Sequence, residues 1–339
     1  MGTNDAWLGQ LDEDVVEPDM KICDPHHHLW GARQGAVMPR FLIEELAAET
    51  GSGHNIVATV FIEAKAMYRA DGPEAMKPVG EIEFANGVAA MSASGLYGRT
   101  RACAGLIGMA NLDVGAPAGD VLDAMIAAAP DRFRGIRHSA TWDADAEVRG
   151  HRANPHDRML QPKHREGAAE LGKRGLVYEA WCFHPQIPEL TDLARALPDL
   201  DIVLDHIGGP IGIGAAYAGK RAEIFEVWKR NIAGLATCPN VSIKLGGFGM
   251  EVMGHGWHEM KSPPTSDQIA ERMKPYYEFC IEKFGPDRAM FESNFPVDKV
   301  SVGYRTLWNA FKKIARNYSP SEKAKLFHDT AMRVYAIEP

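Results

Sequence analysis

The sequence predicts an α/β fold, a single (β/α)8 TIM barrel with an extra helix at its C-terminus. Three observations carry that prediction. Eight short apolar runs are spread along the chain, an amphipathic segment follows each, and nearly every run ends in polar, ionisable residues. The chain has 339 residues, 45% of them hydrophobic and 24% charged. That is enough for one large core, and it is a common size for one such barrel with insertions.

The runs, in order, are residues 20–23, 56–62, 102–109, 133–137, 176–181, 202–204, 241–245 and 289–291. Each is short, apolar and bounded by Gly, Pro, Asn or Asp, as parallel strands buried on both faces require. Helical patterns lie between them at 40–50, 81–93, 120–128, 163–174, 187–197, 222–236 and 267–284. Residues 305–315 follow the last strand, and 321–335 supply the extra helix, with Ser321 of SPSEK placed as its cap. An open doubly wound sheet is the competing architecture, but it usually carries a glycine fingerprint after its first strand. Here the first strand runs into DPHHHLW. No repeat or linker divides the chain, so residues 1–19 read as an N-terminal extension and 20–339 as the barrel.

Charge and cysteine usage narrow the setting. A formal charge of −8 without a basic cluster argues against nucleic acid or an anionic membrane surface as a partner. The five cysteines are scattered, with no CxxC pair, which reads as reduced thiols in a cytoplasmic protein. No apolar signal core or membrane-length run is present, and homo-oligomerisation is left open.

The polar residues fall where a barrel gathers its chemistry. The first strand is followed by Asp24, His26, His27 and His28, and the second by Glu63, Lys65 and Tyr68. Arg137 and His138 end the fourth, His184 follows the fifth, and Asp205 and His206 the sixth. Glu292, Asn294 and Asp298 follow the eighth. The C-terminal strand ends of a barrel converge on one mouth, and folding stability alone does not call for ionisable groups there. His26 and His28 are two apart, so in extended chain their rings share a side while His27 points away. An isolated HxH more often satisfies loop hydrogen bonds. At a mouth shared with His184 and His206, binding or catalysis is the stronger reading. His54, His151, His156, His164 and His328 lie off the strand ends and read as surface or capping residues.

DPHHHLW, WCFHPQ, VLDHIGGP and MFESNFPVD, in this order, resemble the amidohydrolase superfamily. They are most similar to its amidohydrolase-2 branch, which includes 2-pyrone-4,6-dicarboxylate lactonase, L-fuconolactonase and 4-sulfomuconolactone hydrolase. The similarity runs from about Met20 to the C-terminus. It implies a (β/α)8 barrel that hydrolyses lactones of sugar acids or aromatic breakdown products, with His26, His28, His184 and His206 at the site. The family usually carries Asp after strand eight, where this chain has Asn294, and a neutral amide is neither a general base nor a strong ligand.

Two mechanisms are open at this point. In one, a single zinc is held by His26, His28 and His184 and activates a water. In the other there is no metal: the histidines polarise the carbonyl, and Glu292, Asp298 or Glu63 takes the proton of water. Arg137 and His138 suit a substrate carboxylate, unless Arg137 is paired with an acid such as Asp143. Glu63 and Tyr68 could line one wall, and Trp257 sits on a loop suited to a lid, a specificity contact or a subunit contact. The expected substrate is thus a small anionic lactone or carboxylic acid. Decarboxylation or hydration of an aromatic-derived acid, and a non-catalytic acid-binding barrel, are the alternatives.

Overall fold

Hydrophobic runs of three to eight residues form the strands of one parallel sheet in the order β1 to β8, in a computed structural model that describes residues 4–32, 38–150 and 153–338. The strands are β1 (Lys21–His27), β2 (Asn55–Ile62), β3 (Arg101–Gly108), β4 (Phe133–Arg137), β5 (Val177–Ala180), β6 (Ile202–Leu204), β7 (Val241–Leu245) and β8 (Ala289–Phe291). Each is followed by a helix packed outside the sheet, from Ile43–Thr50 after β1 to Tyr304–Ile314 after β8. The sheet closes at the mouth, where His28 N–H donates to Phe295 O at 2.8 Å and Ser293 N–H to Asp24 Oδ1 at 3.0 Å. This is the (β/α)8 barrel expected. His151 lies outside the described residues.

Three details differ from expectation. β1 continues through the histidines, because pairing with β2 persists to His27 opposite Phe61. The last helix is capped by Ser319, whose Oγ accepts from Glu322 N–H at 3.3 Å, not by Ser321. Pro320 fits the first helical position, where no backbone donor is needed. That helix also contains a π turn at Lys325–Asp329.

The C-terminal helix has a clear task. Met332, Tyr335 and Ile337 pack with Cys23, Val60, Val177, Val203 and Met290, plugging the end of the barrel opposite the mouth. The N-terminal extension straps the helix Tyr304–Ile314: Lys312 Nζ donates to Val16 O at 3.0 Å and Glu17 O at 2.8 Å. His54, expected at the surface, is buried against Lys312 Nζ at 2.8 Å. Among the described residues no helix is long and apolar enough to cross a membrane.

Candidate active site

The C-terminal strand ends enclose a cavity of about 690 Å³. His28, Glu63, Arg137, His138, His206 and Asn294 line it, with Trp30 and Trp181 as aromatic walls. β2 and β4, which flank β3, position Glu63 and Arg137 at the mouth: Arg137 ends β4 and Glu63 follows β2. His206 follows β6 in a left-handed backbone conformation, φ 52°. Gly247 lets it sit there, since a Cβ at that glycine would lie 2.6 Å from the His206 ring base.

Beneath the cavity floor lies a buried charge cluster. Glu292 Oε1 is 2.6 Å from His206 Nδ1, and Oε2 is 2.7 Å from His26 Nδ1. Lys244, fully buried, sits 2.7 Å from Glu179 Oε2, 3.3 Å from Asp205 Oδ1 and 3.2 Å from His26 Nδ1. Tyr335 in the plug donates to Glu179 Oε1 at 2.6 Å, so hydrogen bonds run from the closed end of the barrel to Lys244, beside His26. Burial, helped by the positive charge of Lys244, keeps His26 neutral well below its usual range. His28 is neutral for the same first reason, reinforced by Arg137. Its Nδ1 donates to Ile62 O at 2.9 Å, which leaves the Nε2 lone pair facing His26 Nε2 at 3.2 Å.

Arg137 is paired, but not with Asp143. Its Nε donates to Glu63 Oε1 at 2.9 Å, its Nη2 to Glu63 O at 2.8 Å, and its Nη1 lies 3.2 Å from His26 Nε2. The fork that suited a substrate carboxylate is thus largely taken up by Glu63. Asp143 instead accepts from the Tyr217 hydroxyl at 2.7 Å. Asn294 donates to Asp298 Oδ1 at 2.8 Å, and Gly249 N–H to Asp298 Oδ2 at 2.9 Å. Asp298 is fully buried behind Asn294, and that burial pushes its carboxyl up to about 7.

Three of the candidate residues stand elsewhere. His184 is turned from the cluster: its Nδ1 faces Ile211 N–H at 3.4 Å and its ring meets Tyr217. Trp257 stacks on His255 with ring centres 4.6 Å apart, in a separate groove with Phe225 and Tyr276. Tyr68 does not line the cavity, and its buried hydroxyl has no hydrogen-bond partner among the described residues.

A polar wall completes the mouth. Asn111, Asp113, Ser139, Asn154 and Arg158 line the side next to His138. Asp113 accepts from Arg158 Nη2 at 3.1 Å and lies 2.8 Å from His164 Nδ1. His164, read from the sequence as a surface residue, is fully buried and reaches the Tyr178 hydroxyl at 3.2 Å. Leu112 N–H donates to His138 Nδ1 at 3.3 Å. Burial, then Arg158, holds His138 down at about 3, so its Nε2 carries the proton and can donate into the cavity. Most of these residues come from loops, where periodicity gives no signal, and His164 comes from the helix Pro162–Gly172, off the strand ends.

Among the described residues, His26, His206 and Glu292 bring ligand atoms within 4.8 Å of one another, as do His26, Glu179 and Asp205 around the same imidazole, and Asp113, His138 and His164 in a second place. Neither place fits a divalent ion well. Lys244 Nζ and Arg137 Nη1 each stand 3.2 Å from a ring nitrogen of His26, and Arg158 is salt-bridged to Asp113. A dication would face a fixed cation in either place.

The family model described as Amidohydrolase (Amidohydro_2) matches residues 23–337. The chain is 33% identical over 337 residues to the uncharacterized protein y4mH of Sinorhizobium fredii, covering 94% of this chain and 99% of that one. It is 27% identical to an L-fucono-1,5-lactonase of Burkholderia multivorans, over 61% of this chain and 64% of the lactonase. A zinc-bound crystal structure of an amidohydrolase from Burkholderia multivorans shares the fold, with a TM-score of 0.71 at 22% identity, covering 94% and 99% of the two chains. With the barrel, the polar mouth and a family match spanning nearly its whole length, this chain belongs to the amidohydrolase family.

Proposed function

We infer that this barrel hydrolyses a neutral, polyhydroxylated lactone of the sugar-acid type. The observation that carries the reading is the Glu292–His206 pair at the floor of the cavity, 2.6 Å apart. Glu292 accepts the Nδ1 proton, which leaves the Nε2 lone pair of His206 free to take a proton from water. The water oxygen then bonds to the lactone carbonyl carbon. The guanidinium of Arg137 supplies positive charge to the developing oxyanion, and collapse breaks the ring C–O bond. The proton held on His206 passes to the departing alkoxide, giving the open hydroxy acid.

The cavity lining supports a neutral substrate. The buried cations of the lining, Arg137 and Arg158, are balanced by Glu63 and Asp113, and the lining cation Lys65 is exposed to solvent, while Asn111, Ser139, Asn154 and Asn294 offer amides and hydroxyls suited to a polyol. The relatives named L-fucono-1,5-lactonase and L-rhamnono-gamma-lactonase agree with that class. Turnover followed by pH-stat on L-fucono-1,5-lactone, L-rhamnono-γ-lactone and 2-pyrone-4,6-dicarboxylate tests it. We expect the neutral lactones to exceed the dicarboxylate at least tenfold in kcat/KM, about 1.4 kcal/mol of discrimination. A preference for the dicarboxylate would reject the neutral-substrate reading, and no turnover on any of the three would reject lactone hydrolysis.

A further inference from the structure

We propose that Arg137 is a built-in cation that keeps divalent metal out of this mouth and stands in for it opposite the reacting carbonyl. The first half is independent of the lactone reading; the second half rests on it.

The argument starts from two histidine nitrogens. His26 Nε2 and His28 Nε2 are 3.2 Å apart, and the His28 nitrogen presents a lone pair because its Nδ1 must donate to Ile62 O. Such a pair ordinarily attracts a metal ion. Here the cation that meets it belongs to the protein, since Arg137 Nη1 lies 3.2 Å from His26 Nε2.

Arg137 is not free to leave. Both Glu63 contacts, at 2.9 and 2.8 Å, lock the guanidinium, and swinging it out would strand a buried carboxylate. The contacts to Glu63 and His26 occupy three of its five N–H donors, and Asp205 Oδ2 lies 3.7 Å from Nη1, which leaves the second N–H of Nη2 without an acidic neighbour among these contacts. The opposite nitrogen of His26 is also guarded, by Lys244 at 3.2 Å, itself locked by Glu179 at 2.7 Å and Asp205 at 3.3 Å. Two further ligands that the strand ends offered are engaged elsewhere as well. Asn294 spends an amide N–H on Asp298, and His184 points towards Ile211 and Tyr217. The chain thus keeps paired histidines at the mouth but fills their cation position with a side chain.

The test is zinc binding, read by isothermal titration and by metal analysis after chelation and dialysis. The proteins are the wild type, Arg137→Ala, Arg137→Gln, and each of these with His28→Asn added. We expect the wild type to hold no zinc that depends on His28. The Arg137 variants should gain one zinc per chain, bound on the order of 100-fold or more tighter than by the wild type, and lose it when His28→Asn is added. One zinc per wild-type chain that disappears with His28→Asn would overturn the proposal, and so would folded Arg137 variants that gain none. The wild-type measurement decides the exclusion even if both Arg137 variants fold poorly. Lactone turnover by the chelated wild type is scored separately, so failure of the hydrolytic reading leaves the zinc result standing.

Discussion

Glu292 places one carboxylate oxygen 2.6 Å from His206 Nδ1 and the other 2.7 Å from His26 Nδ1, so a single side chain orients two imidazoles. Glu292→Gln keeps the volume but can donate an amide proton to His206 Nδ1, which would move the ring proton to the nitrogen facing the cavity. We expect kcat to fall roughly 10³–10⁴-fold with little change in KM or in thermal stability. A loss under tenfold would remove His206 as the base. At this scale the sequence was informative at most strand ends: His26, His28, Glu63, Arg137, His206 and Glu292 all meet at or beneath the mouth, whereas His184, after β5, turns to Ile211 and Tyr217. It was silent about pairing. The spacing that marked Arg137 could not show that Glu63, 74 residues away, takes up its fork. Nor could it reveal Asp113 or Arg158, which reach the polar wall from loops without periodic pattern, or show that His164, on a helix the pattern did mark, turns inward to Asp113.

The strands were legible because both faces are buried, which makes each a compact apolar run with turn residues at its ends. β4, β6, β7 and β8 match the predicted bounds, β2, β3 and β5 differ by one residue at one or both ends, and β1 runs four residues further, since polar histidines conceal a strand that still pairs with β2. β4 ties element geometry to chemistry because it delivers Arg137. Its Gly135 lies opposite Val177 of β5, and a Cβ there would come within 2.1 Å of Val177 O. No rotamer change relieves a clash with backbone, so Gly135→Ala must spread the two strands. We expect a loss of about 3 kcal/mol or more, with kcat reduced in whatever fraction stays folded because Arg137 shifts. Denaturant unfolding monitored by circular dichroism checks this, and a change below 1 kcal/mol would show that the β4–β5 pair tolerates the extra carbon.

Closure of the whole barrel depends on the β8–β1 seam, and Asp24 is its clasp. The Asp24 carboxylate accepts from Ser293 N–H at 3.0 Å, from the Tyr304 hydroxyl at 2.9 Å and from His26 N–H at 3.3 Å. It thereby joins the first strand, the last strand and the final barrel helix, a long-range role that the position of Asp24 beside the histidines did not announce. Burial raises its carboxyl from 3.8 to about 6, with Ser293 and Tyr304 hydrogen bonds opposing the shift. The folded state therefore binds this proton more tightly than the unfolded chain. The resulting stability is complete below pH 4 and is lost as pH rises through about 6, about 3 kcal/mol across that window. Asp24→Asn removes the titration and resembles the protonated acid, with one acceptor oxygen and a donor in place of the other, so it keeps the low-pH form of the clasp at every pH. We expect the variant to lie within about 1 kcal/mol of wild type at pH 4 and to gain up to about 3 kcal/mol on it by pH 8, because only the wild type has lost its proton. Urea unfolding of both proteins at pH 4, 6 and 8 measures it. A variant that gains nothing on wild type as pH rises would mean that Asp24 is already ionised throughout and that another group carries the pH dependence of the seam.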